Sequence, residues 1–81
     1  MNFTDYARSQ GCELLKDDLN FIKQRIEGLP LASKITLTRR FVDEWRKGMA
    51  ECQNPVKRQN EGRRAASIFL RTATSGQSNP R

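Results

Sequence analysis

Residues 54–71 read NPVKRQNEGRRAASIFLR, and the way this stretch folds decides the architecture. Asn54 suits the N-cap of a helix, and Pro55 suits its first position, where the missing N–H removes no bond. Further on, Val56, Ala66, Phe69, Leu70 and Ala73 can share an inward side. Gly62 and Ala66 stand four apart and form a small-residue groove for a neighbouring backbone. The spacing predicts a helix over 55–72. A second reading starts it at Asn60, which places Glu61 in the first turn and leaves Lys57 and Arg58 in a loop.

Upstream, TLTRRFVDEWRKGMAEC sets Leu37, Phe41, Trp45, Met49 and Cys52 on one side, predicting a helix over 36–52 with Thr36 or Thr38 as its cap. Before that, Leu15, Leu19, Ile22 and Ile26 are spaced 4, 3 and 4, the stripe of an amphipathic helix. This first helix is expected over 5–27, closed by Gly28 and Pro30. Gly11 weakens its interior by about 1 kcal/mol, so a break there is the alternative. Leu14 and Phe21 mark a second apolar face, which the third helix covers in a monomer and which otherwise meets a partner. Residues 74–81 are polar and turn-rich and read as a disordered tail.

The expected fold is therefore all-α, a small antiparallel three-helix domain over residues 1–73. Short connections favour neighbours in sequence order, and the stripes of the first two helices then match level by level, with Trp45 against Leu15 and Leu19. A chain of 81 residues has a small core, so its stability is expected to be modest.

Composition narrows the function. The chain has no histidine, which removes the commonest general base and metal ligand. Cys12 and Cys52 are 40 residues apart with no Cys-x-x-Cys pair, and read as two buried thiols in a reduced compartment. Asp17 and Asp18 are adjacent on a helix and point about 100° apart, too far to share a proton. No glycine-rich phosphate loop occurs. The expectation is a non-enzyme with no cofactor and no metal. No apolar run reaches the roughly 20 residues that span a bilayer, and no secretory leader is visible, so a cytoplasmic protein without membrane contact is expected.

Charge points toward an anion. The net charge is +6, and it is uneven: residues 1–31 hold four cations and five anions, residues 32–81 eleven cations and four anions. Within 54–71, Lys57, Arg58, Arg63, Arg64 and Arg71 form the candidate nucleic-acid-binding set, with Gln59, Asn60 and Arg63 available to base edges. Lys57 and Arg58 in a first helical turn oppose the macrodipole, which is useful where an anion docks. The plain alternative is a solvated basic face. Arg39, Arg40, Arg46 and Lys47 alternate with Asp43 and Glu44 at helical pair spacing and read as structural. A helix-turn-helix over 38–72 is only weakly signalled, because the turn lacks its usual glycine. Two functions follow as expectations: a small basic protein that binds nucleic acid through its C-terminal helix, or a regulator or inhibitor that docks a helical face on a larger protein. A homodimer is compatible with either.

Overall fold

The computed structural model describes residues 2–75, and the expected tail at 76–81 lies outside the described residues. All regular structure among them is helical: α1 (Phe3–Ser9), α2 (Lys16–Ile26), α3 (Leu31–Glu51) and α4 (Arg58–Ser75). The all-α expectation holds, and the three-helix count does not.

The predicted first helix is two helices, broken at Gly11. This glycine adopts φ +89°, which a side chain would oppose. Cys12 N–H donates to Ala7 O and Gly11 N–H to Arg8 O, both at 3.0 Å, so the carbonyls at the end of α1 are satisfied by a Schellman turn. Asn2 caps the other end through Asp5 N–H at 2.8 Å. The chain restarts at Lys16, where the Asp18 carboxylate accepts the Leu15 N–H at 2.8 Å.

Helix α3 begins at Leu31, five residues before the predicted start. Pro30 ends one segment and, with its fixed φ, stands as N-cap of the next. Thr38 is no cap; its hydroxyl donates back to Lys34 O at 2.8 Å. Helix α4 begins at Arg58, between the two readings of 54–71. Asn54 spends its side chain on a turn, accepting the Val56 N–H at 2.9 Å, and its carbonyl accepts from Lys57. Val56 is consequently 87% exposed instead of facing inward. Thr74 and Ser75, expected in the tail, complete α4, and Thr74 is buried.

Helices α3 and α4 form a close antiparallel hairpin. Arg58 reaches Met49, Gly62 meets Trp45, and the Arg40 guanidinium lies over the Phe69 ring at 4.9 Å. That side-by-side course differs from the 90–120° crossing of a helix-turn-helix. The approach needs glycine on both sides. A Cβ at position 62 would stand 2.5 Å from Trp45 Cδ1 and 2.7 Å from its carbonyl oxygen; one at position 48 would stand 2.7 Å from Glu61 O. The small-residue groove at Gly62 and Ala66 is thus real, and Gly48 is its counterpart.

Helix α2 runs alongside α4 in the same direction, with Asp18 at Arg63 and Arg25 at Arg71 O. The level-by-level pairing of the first two apolar stripes is not observed. Trp45 is buried as expected, but against Gly62 and Phe41, while Leu15 is 58% exposed. Phe41, Val42, Trp45, Ala66 and Leu70 form the centre of the core, joined by Leu14, Ile22 and Cys12 from the N-terminal half. Of the five residues expected inward on α4, Val56 and Ala73 are exposed and Phe69 half-buried, because the inward line follows Gly62, Ala66, Leu70 and Thr74.

Gly62→Ala tests the crossing. In an open helix the change would stabilise by up to about 1 kcal/mol. Here it should destabilise, by about 1–3 kcal/mol, through overpacking against the indole. A urea titration gives the sign.

Candidate nucleic-acid interface

The five cations predicted on 54–71 separate into three groups. Arg63 is half-buried and turned toward Asp18 and Trp45. Its Nε donates to Asp18 Oδ2 at 2.9 Å and lies 3.0 Å from Oδ1. Its terminal nitrogens reach Asn60 Oδ1 at 2.7 Å and Glu13 O at 3.1 Å, and its guanidinium lies 5.1 Å from the Trp45 ring centre. Each of its three guanidinium nitrogens is engaged within the fold, so Arg63 is withdrawn from the phosphate-binding set.

Gln59 and Asn60, expected at base edges, are withdrawn with it. Gln59 Oε1 accepts from Trp45 Nε1 at 2.9 Å and from Glu13 N–H at 3.0 Å, while its Nε2 donates to Gly11 O at 2.9 Å. Together Gln59, Arg63 and Asp18 satisfy the backbone of the connection between α1 and α2, which has no secondary structure of its own to do so. The periodicity does signal this role: 59, 63, 66 and 70 continue one helical stripe into the core.

Arg58 forms the second group. Its Nε donates to Met49 O at 3.4 Å, in the last turn of α3. A cation that is unfavourable at the start of α4 is favourable at the end of α3, where carbonyls point outward. This contact accounts for the odd first-turn charge without an anion.

Lys57, Arg64 and Arg71 are the third group, and all three are exposed. Each is seven positions after the last: Arg64 and Arg71 share the side of α4 turned away from Gly62, Ala66 and Leu70, about 10 Å apart, and Lys57, in the turn just before the helix, continues their line. Among the described residues none of them has a carboxylate within ion-pair distance; the ion pairs there are Lys47–Glu44 and Arg63–Asp18. On α3, Arg39 and Arg40 do not pair with Asp43 and Glu44 as expected. They lie over Tyr6 and Phe69 instead, with no carboxylate in ion-pair distance among the described residues.

Both cysteines are free, Cys12 buried and Cys52 half-buried rather than buried as expected. Burial pushes the Cys12 thiol up from 9.0 to about 11, and Arg46 offsets only part of this. Such a thiol is a poor nucleophile at neutral pH. Among the described residues no three Cys, Asp or Glu gather to hold a metal ion, and no helix is long and apolar enough to cross a membrane. No family model matches this chain, and no curated protein or solved structure matches it either.

Two outcomes are expected. Arg63→Ala leaves the Asp18 carboxylate buried without its cation and should cost about 3–5 kcal/mol, and Arg63→Lys should recover only part, since an ammonium cannot reproduce the fork. Chemical denaturation of the two variants checks this. The second concerns Cys12. Below pH 9 the thiol is neutral whether folded or unfolded; between 9 and about 11 the unfolded chain releases the proton and the folded one retains it. Stability should therefore fall by up to about 3 kcal/mol as pH rises through that window. The gap in Tm between parent and Cys12→Ala should narrow over the same range.

Proposed function

We propose that this chain is a non-enzymatic protein that binds nucleic acid through the outer face of α4, without reading sequence. The observation that carries the reading is the row Lys57, Arg64 and Arg71: exposed, evenly spaced and without a carboxylate in ion-pair distance among the described residues, along the line of the helix whose Arg63 is held by the fold. Charge selected only for solubility has no reason to be regular, whereas a phosphate backbone rewards cations at intervals along one line. Arg40 on α3, over the Phe69 ring, adds positive charge beside that helix. Gln59 and Arg63, the residues suited to base edges, are occupied by the fold, which supports binding to the backbone over reading of bases.

Three phosphate contacts should give a log K against log salt slope of about −3 on duplex DNA. The variant Lys57→Glu/Arg64→Glu/Arg71→Glu should stay folded, since all three side chains are exposed, and should lose most of that slope on every sequence. A parent protein that fails to bind duplex DNA or RNA in about 50 mM salt would sink the reading.

A second reading has its own observation. Along the seam between α3 and α4 a groove of about 460 Å³ exposes Ala65 and Ile68 between Glu51, Glu61 and Arg64. An apolar floor between charged walls suits a regulator that docks on a helix of a larger protein.

A further inference from the structure

Helix α2 does not bury the stripe its sequence provides. Leu15, Leu19, Ile22 and Ile26 share one side, yet of these Ile22 alone is buried. Leu19 and Ile26 are half-buried and Leu15 is exposed. The inward side of α2 is instead Asp18 and Ile22, with Leu14 buried just before the helix, because Asp18 is held at Arg63. The rotation leaves an open groove of about 440 Å³ between α2 and α3, floored by Phe3, Leu19, Ile22 and Ile26. Phe3 and Thr38 continue it to Ile35, which is 48% exposed, and one helical turn earlier Leu31 is 72% exposed. A contiguous apolar surface on a small folded chain marks an interface.

The charges at its rim fit a second copy of the chain. Lys23, Lys34 and Glu27 line the groove, and none has an ion-pair partner among the described residues. A uniformly acidic partner would leave Glu27 opposed, and a uniformly basic one would oppose both lysines. A two-fold related copy of the same rim can place Glu27 against a lysine of the other copy, and symmetry then repeats the contact.

We propose that a second copy of this chain covers the groove between α2 and α3, stripe against stripe, with Glu27 facing the lysines of the other copy. The proposal is independent of the nucleic-acid reading, and salt separates the two. Each chain carries +6, so screening should strengthen the dimer while it weakens binding to phosphate.

Light scattering and sedimentation velocity on the full chain test it. At about 100 μM in moderate salt the mass should be twice the 9.3 kDa of one chain, falling toward one on dilution. Leu31→Glu/Ile35→Glu, at exposed positions, should keep the parent's helical circular dichroism and run as a monomer. Glu27→Lys and Lys34→Glu should each weaken the dimer, and the double variant should restore it by exchanging the two signs. A monomer at every concentration and salt overturns the proposal and leaves the groove to an unlike partner. A dimer indifferent to Leu31→Glu/Ile35→Glu, or not restored by the exchange, overturns it too.

Discussion

The indole of Trp45 occupies the space that a side chain at position 62 would need. Because Gly62 has none, α3 and α4 approach until backbone touches indole, and every other segment is placed relative to that contact. Gln59 lies one turn before Gly62 and Arg63 directly after it, on the side that faces Trp45. One accepts the indole N–H; the other covers the ring. Their remaining hydrogen-bonding groups then reach the chain between α1 and α2. A tight helix pair and an irregular connection are thus held by the same three residues.

This arrangement divides the cations of a basic helix between two environments. An arginine facing the core must be fully hydrogen-bonded or it destabilises the fold, and Asp18, Asn60 and Glu13 O meet that demand. Once Arg63 is committed inward, helical geometry sends Lys57, Arg64 and Arg71 to the far side, where water solvates them and a phosphate backbone can reach them. Arg58, between the two sides, settles at the C-terminal carbonyls of α3. Charge that looks uniform along the sequence is divided by a period of 3.6 residues into structural and available parts.

Asp18 has the widest consequences for surface. It caps α2 and holds Arg63, so α2 is turned about its axis until a carboxylate points inward. Apolar residues that a hydrophobic stripe would bury are displaced toward solvent between α2 and α3. An ion pair of low exposure has prevailed over the burial of Leu15 and Leu19, because leaving either of its charges unpaired inside costs more than exposing part of a leucine.

Local rules of the sequence determined the helical class, the stop at Gly28 and Pro30, the small-residue approach at Gly62, the burial of Trp45 and the exposure of Lys57, Arg64 and Arg71. Each depends on backbone conformation or on the 3.6-residue period, which neighbouring residues set among themselves. The break at Gly11 was visible as an alternative, and the fold chose it because Gln59 and Arg63, some fifty residues away, satisfy the backbone freed there. Tertiary structure alone decided that α2 leans on α4, that Arg63 is turned toward Asp18 and Trp45 and that Arg58 belongs to the end of α3. Those outcomes rest on polar contacts between segments 9 to 50 residues apart. Hydrophobic periodicity shows which side of a helix is apolar; it does not say which buried charge will turn that side away.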